Sequence, residues 1–418
     1  MGSEVAAMEV FAGIERLVTM NGSGPQGLGV LEHVDLLVEG GRVHAMLPQG
    51  SQVYGPEVRV HPFGPGAVIP GLVDCHTHTV FGGDRSAEFE LKLRGVGYEE
   101  IARGGGGILH TVTATRAAAP ETLFRRGRDY LLEMLAHGVT TVELKSGYGL
   151  DTEDELKMLE VAARLGKETP LTVVPTFLGA HEFPQEYRQN HEGYVRLLLE
   201  DTLPAVAAQG VARFCDVFCE RGVFDVQQSR RILTTARELG LGLKVHAEEF
   251  ASIGAAALGI ELDAISVDHL EHLDEPTMEA LAESSTVPVI LPGTAFFLDL
   301  TTLPPARAML QRGLGVAVAT DFNPGSNMCS NLPLCGTIAC VRCRMLPHEV
   351  LRGMTVHAAR ALGLAGQVGE LRPGAAADFV LLDHPDERNL FYHYGTMHAR
   401  AVVKAGELVL DRRGLRID

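Results

Sequence analysis

The middle of the chain alternates between short apolar runs and amphipathic stretches, and no other feature restricts the fold so tightly. Eight strand-like cores can be counted, at 71–74, 140–144, 171–176, 214–218, 243–245, 264–267, 287–291 and 316–319. Stretches with apolar residues at helical spacing separate most of them, for example at 121–136, 152–165, 227–239 and 275–282. Eight alternating units of this length suit a (β/α)8 TIM-like barrel better than an open doubly wound sheet. In such a barrel the chemistry gathers at the C-terminal ends of the strands, so the residues that follow each core are the ones to inspect.

The two ends of the chain break the alternation. Val34 to Glu39 and Arg42 to Leu47 flank Gly40-Gly41, the pattern of a hairpin with a tight glycine turn. Strand-like runs return at 378–383, 401–404 and 407–410, the last two joined by Ala405-Gly406. Strands at both termini predict a second, smaller β-sandwich domain built from both chain ends. The Pro/Gly-rich segments at 62–71 and 369–374 are the natural junctions. The expected division is therefore 1–69 for the N-terminal part of the β-domain, 70–366 for the barrel and 367–418 for the C-terminal part. A chain of 418 residues has room for a large barrel with such an appendage.

A net charge of −17 argues against nucleic acid or an anionic membrane as the main partner, though one local arginine can still receive a small anionic substrate. No apolar run is long enough to cross a bilayer and no basic-then-apolar leader opens the chain, so a cytoplasmic protein is expected. The seven cysteines are odd in number and scattered through apolar segments, which predicts structural thiols rather than a disulfide framework. Cys340-x-x-Cys343 has no second pair to complete a zinc site.

Polar residues gather after the strand cores. His76 and His78 follow the first, and the period of two points both imidazoles to one side, where they can share an ion. Lys145 to Tyr148 follow the second core, Gly179-Ala180-His181 the third and His246 to Glu249 the fifth. Asp268 to His272 follow the sixth and Thr320 to Ser326 the eighth. His272 is expected to turn away from the mouth. The four glycines Gly104 to Gly107 lack a following Lys-Ser/Thr, so they predict a mobile loop near the site, with a lid as one reading, rather than a phosphate cradle.

His76-x-His78 with His246, His269 and Asp321 at later strand ends resembles the amidohydrolase superfamily. The segments around Phe81-Gly82-Gly83-Asp84-Arg85, Lys145-Ser146-Gly147-Tyr148-Gly149, Phe177 to His181, Leu291 to Phe297 and Ala319 to Ser326 narrow this to the imidazolonepropionase family. Cys75, inside the His-x-His strand, is a small departure that changes no ligand. The resemblance implies metal-dependent hydrolysis of the ring C–N bond of imidazolone propionate, giving N-formimidoyl-glutamate in histidine degradation, and a homodimer. The alternatives are a related deaminase or cyclic amidohydrolase acting on another nitrogen heterocycle, or a catalytically silent barrel serving as a scaffold.

His76, His78, His246 and Asp321 offer three neutral nitrogens and one carboxylate, a set that suits one Zn2+ or Fe2+ with a position left for water. Two-metal relatives bridge their ions with a carboxylated lysine on strand four, and the run Phe214-Cys215-Asp216-Val217-Phe218 contains none. Lys145, on strand two, reads as structural or supporting. His269 is expected to orient or deprotonate the water, Glu249 to pass a proton to the leaving nitrogen and Asp321 to accept one. Arg85 is the expected clamp for the propionate, against the plainer reading of a helix-start ion pair. The resemblance assigns Tyr148 and His181 to substrate binding, with a structural histidine as the plainer reading of His181. Glu249 and the loop donors of Asn323, Gly325 and Ser326 complete the expected set.

Overall fold

Strand register here follows from which side chains each strand can hide. The structure, a computed structural model, describes residues 8–24, 26–96 and 106–412. Sixteen strands occur among the described residues. The first five are β1 (Met8–Val18), β2 (Val30–Glu39), β3 (Arg42–Pro48), β4 (Arg59–Pro62) and β5 (Ala67–Pro70). The barrel strands are β6 (Leu72–Asp74), β7 (Val139–Lys145), β8 (Thr172–Ala180), β9 (Phe214–Cys219), β10 (Gly242–Ala247), β11 (Ser266–His269), β12 (Val287–Ile290) and β13 (Ala317–Val318). The chain ends with β14 (Phe379–Leu382), β15 (Ala399–Lys404) and β16 (Glu407–Asp411).

Strands β6 to β13 pair in sequence order, all parallel, into one eight-stranded sheet. Most intervening segments are helical, several with an acidic cap at the first turn. Asp225 accepts from the N–H groups of Gln227 and Gln228, and Asp151 and Asp274 do the same for Asp154 and Thr277. These caps fix helix starts that apolar spacing alone leaves open.

The seam between β13 and β6 is closed by other means. β13 is only two residues long, and Asp321, three residues beyond its end, adopts a left-handed backbone (φ 53°). The Asp74 carboxylate takes the place of ladder bonds, accepting from Thr320 N at 3.0 Å and Thr320 Oγ1 at 2.6 Å. Beyond it, Asp321 N donates to His76 O and His78 N to Phe322 O. The closure therefore brings the His-x-His segment against the loop after the last strand.

The remaining strands come from both ends of the chain and form a second sheet in the order β16-β15-β14-β5-β1-β2-β3, with β4 beside β1. Glu39 pairs with Arg42 across the glycine turn, as expected for the hairpin. One face of this sheet encloses its own core, including Phe11, Leu36, Phe63, Phe379, Leu381 and Val403. Residues of the opposite parity, Val380, Leu382 and Val402, pack with the barrel helices. The appendage is thus bolted to the barrel through alternate side chains of shared strands. All seven cysteines are free thiols. No helix among the described residues is long and apolar enough to cross a membrane. Of the expected mobile loop, Gly104 and Gly105 lie outside the described residues, while Gly107 N donates to Glu88 Oε2 at 2.8 Å.

Candidate active site

Charged residues in the middle of parallel barrel strands have nowhere to go but inward, and here they build a polar floor. Period two puts Glu143 and Lys145 of β7 on one face, and Lys244 and His246 of β10 likewise. Asp216 of β9 and Asp268 of β11 join them, all essentially inaccessible to water. Lys145 Nζ reaches Asp216 Oδ2 at 2.6 Å, Glu143 Oε2 at 3.0 Å and Asp268 Oδ2 at 3.8 Å. Lys244 Nζ donates to Glu143 Oε2 at 2.8 Å and to Cys75 O at 3.1 Å. Burial works against the Lys145 ammonium, yet Asp216, Glu143 and Asp268 together hold its pKa above the ordinary lysine value.

On this floor stand the histidines. His76 Nδ1 lies 2.6 Å from Asp268 Oδ2, and His246 Nδ1 lies 3.0 Å from Asp216 Oδ2. Each imidazole is therefore backed by a carboxylate that fixes its tautomer and ring plane. His76 Nε2 and His78 Nε2 lie 3.6 and 3.4 Å from Asp321 Oδ1, whose other oxygen accepts from Thr294 Oγ1 at 2.6 Å. Ring centroids separate His76 from His246 by 4.5 Å and His76 from His78 by 5.3 Å. The buried nitrogens His76 Nε2, His78 Nδ1 and His246 Nε2 have no hydrogen-bond partner, and a buried orphan costs about 1–3 kcal/mol. Among the described residues, atoms of His76, His78 and Asp321 lie close enough together to share one cation, as do atoms of His76, His246 and His269. Burial pushes His76 and His78 well below the usual histidine pKa, so both are neutral and can ligate. The donor set and its unpartnered nitrogens fit a divalent ion.

Above the histidines opens a cavity of about 1020 Å³. Of the twelve residues expected from sequence to form the site, all but His76 line this cavity. His272 is not among the lining residues. His269 Nε2 is 3.6 Å from Glu249 Oε2, and its Nδ1 is 3.9 Å from Glu271 Oε2. Burial, only partly offset by Asp321, pushes the His269 pKa down to about 3, so its ring is a neutral acceptor. Burial first, then Glu271 and Asp321, raise Glu249 well above the carboxylate range, which leaves it a proton donor. His269 (φ 85°) and Asp321 both hold left-handed backbones, a strain of about 1–3 kcal/mol each that the packed floor sustains.

The cavity wall differs from the simplest expectation in two places. Arg85 lines the cavity, and it also precedes helix Ser86–Leu93 and pairs bidentately with Glu88, through Nε at 2.9 Å and Nη2 at 2.6 Å. Its Nη1 edge remains, packed where Gly325 has no side chain: a Cβ there would meet Nη1 at 2.3 Å. Lys92 stands beside it, 3.1 Å from Glu88 and 3.2 Å from Gly325 O. The loop amides are also occupied, since Asn323 Oδ1 accepts from Gly325 N and Ser326 N, both at 2.8 Å. Asn323 therefore shapes the loop around its own side chain. His181 Nδ1 lies 3.0 Å from Gly147 O, which must accept, so its Nε2 keeps the lone pair. Tyr148 lies beside the His78 and His181 rings, its hydroxyl held neutral by burial.

Sequence reasoning missed Asp74, Glu143, Asp216, Lys244, Asp268, Glu88 and Lys92 as contributors. The signal for the floor was present: an ionic residue at the inward parity of an otherwise apolar barrel strand must find a partner.

The amidohydrolase family profile matches residues 67–409, and the chain belongs to that family. Among solved structures, a triazine hydrolase variant superposes with a TM-score of 0.75 at 18% identity, covering 97% of this chain and 95% of that one. A zinc-bound adenosine deaminase from Xanthomonas campestris gives 0.70 at 19%, covering 98% and 94%. Such distant likeness establishes the barrel fold alone. Closer relatives assign the branch: the chain belongs with the imidazolonepropionases. It is 46% identical over 417 residues to the imidazolonepropionase of Symbiobacterium thermophilum, covering 97% of this chain and 98% of the relative. The Rubrobacter xylanophilus protein of that name is 47% identical over 411 residues, with 95% and 97% covered.

Proposed function

We infer that the chain hydrolyses the ring C–N bond of 4-imidazolone-5-propanoate, giving N-formimidoyl-L-glutamate in histidine degradation. One observation carries this choice within the family: Arg85 is set into the wall of the same cavity as the histidines and Asp321. A propionate calls for such a cation, whereas a neutral purine or triazine does not. The relatives' shared name supports the same substrate.

His76, His78, His246 and Asp321 are the residues that would hold one divalent ion, zinc or iron(II). When bound, it supplies Lewis acidity and brings the pKa of a water down toward neutrality. The chain's own groups do the rest. His269 Nε2 takes the proton of the water that attacks the ring carbonyl carbon, and its imidazolium then faces the developing oxyanion. Glu249, whose carboxyl pKa burial raises, delivers its proton to the ring nitrogen as the C–N bond breaks. The oxygen of one water ends in the new carboxylate, and Asp321 serves as a further proton acceptor beside it. Arg85 Nη1, with Lys92 nearby, receives the propionate, while His181 Nε2 accepts from a ring N–H and Tyr148 packs against the ring. Ser326 Oγ accepts from Asn323, so its own hydrogen is free to be donated. The enzyme is read as cytoplasmic and, by resemblance, as a homodimer.

Freshly prepared imidazolone propionate tests this directly. Zinc-loaded protein should consume it with formimidoyl-glutamate appearing, and a chelator-treated sample should lose that turnover. Metal-loaded protein that leaves the compound untouched would sink the substrate assignment.

Arg85→Ala is expected to raise KM by about 10- to 100-fold, the size of a lost charge-assisted hydrogen bond, with metal content unchanged. Steady-state kinetics beside elemental analysis checks it, and metal loss in step with KM would make Arg85 a structural residue.

A further inference from the structure

Away from the barrel mouth, three histidines of the C-terminal region converge. His384 follows β14, His393 ends the short helix Asn389–Tyr392 and His398 precedes β15. None of them lines the catalytic cavity. The ring centroids are 5.4 Å (His384–His393), 5.7 Å (His384–His398) and 5.9 Å (His393–His398) apart. The pairs His76–His78 and His78–His246 in the active site are spaced alike, at 5.3 and 5.7 Å.

We propose that His384, His393 and His398 form a second metal site, suited to zinc or a similar late divalent ion. His384 Nε2 and His393 Nδ1 lie 3.3 Å apart. Two nitrogens each about 2.0–2.1 Å from a tetrahedral zinc are separated by about 3.4 Å. His398 is buried at 4% exposure, and its Nε2 has no hydrogen-bond partner. Its ring also makes a backbone hydrogen bond at His393. With Nε2 unpartnered that bond belongs to Nδ1, and a carbonyl acceptor there leaves the Nε2 lone pair free. Metal-ligating histidines are oriented in this way. Burial also lowers the His398 pKa, favouring the neutral ring that a metal requires.

The backbone at two corners is already fixed, since Ala67 N donates to His384 O at 2.7 Å and Asp383 N to His398 O at 3.0 Å. The ligand nitrogens of the three rings do not all lie within 4.8 Å of one another, as those of His76, His78 and Asp321 do. Binding an ion requires these rings to shift toward one another, and His393 is exposed, with no packing to oppose its movement. Water or the neighbouring Asp383 carboxylate completes four ligands. The ion would clip the connection between β14 and β15, shortening the free loop of the sheet that joins the two chain ends.

The test compares zinc content after equilibrium dialysis of the intact protein, the His393→Gln variant and the His384→Gln variant. The expected result is one zinc per chain fewer in each variant than in the parent, with turnover within about twofold of the parent. Reading the difference makes the result independent of what the active site holds, and so of the proposed substrate. Equal zinc content in parent and variants overturns the proposal. So does loss of turnover in step with zinc in both variants, since the missing ion would then be the catalytic one.

Discussion

His269→Gln lowers kcat by about 10²- to 10⁴-fold, with KM and metal content close to those of the parent. The expectation rests on where the ring stands. His269 lines the cavity beside His76 and His246, with centroids 5.6 and 5.3 Å away, and its own nitrogens face Glu249 and Glu271 rather than the floor carboxylates. His76 and His246 are each backed by a floor carboxylate and present their remaining nitrogen toward the cluster. His269 lacks that backing, which suits a group that must accept and return a proton. Burial brings its pKa down to about 3, so the ring is neutral before it meets the water's proton. Glutamine keeps a hydrogen-bonding head but cannot take the proton. Stopped-flow or steady-state rates beside metal analysis decide the matter. Should the variant lose its metal in parallel with its rate, His269 is a ligand and the division of roles proposed above is wrong.

The membership of the cluster, though not the division of proton roles within it, could be read from sequence because strand ends are where a barrel keeps its chemistry, and His-x-His, His246, His269 and Asp321 each sat at one. The strand boundaries were less legible. Lys145, His246 and His269 belong to the strands themselves rather than to the loops that follow, because partner strands continue to bond them. The last strand, expected over four residues, keeps two, since the Asp74 carboxylate replaces its ladder bonds to β6. Apolar periodicity carries no trace of a side chain that substitutes for backbone. Arg85 illustrates a different limit. Sequence offered two readings, substrate clamp or ion pair, and the structure gives the side chain an ion pair with Glu88 and a place on the cavity wall. The partners within the polar floor were hidden for a third reason: inward parity marks each of Glu143, Asp216, Lys244 and Asp268 as needing a partner, but they are far apart in sequence, and only barrel closure shows that they neutralise one another.

Lys145→Met is expected to destabilise the folded protein by about 3–5 kcal/mol, the cost of breaking a buried ion pair from one side. The floor holds Glu143, Asp216 and Asp268 against Lys145 and Lys244, none of them more than 1% exposed. Removing Lys145 leaves three acids to one ammonium in a volume that water does not reach. Methionine fills much the same space, so lost packing adds little and the electrostatic loss dominates. Asp216 and Asp268 would then be pressed to take up protons. Since they back His246 and His76, the histidine cluster would lose its orientation as well, and metal affinity should fall together with stability. Denaturant unfolding of parent and variant checks the first effect, at one fixed zinc concentration because bound metal raises apparent stability. A shifted midpoint at unchanged slope is the expected signature. A midpoint within about 1 kcal/mol of the parent would mean that Lys244 alone balances the floor, as weakly perturbing substitutions do when no buried network is broken.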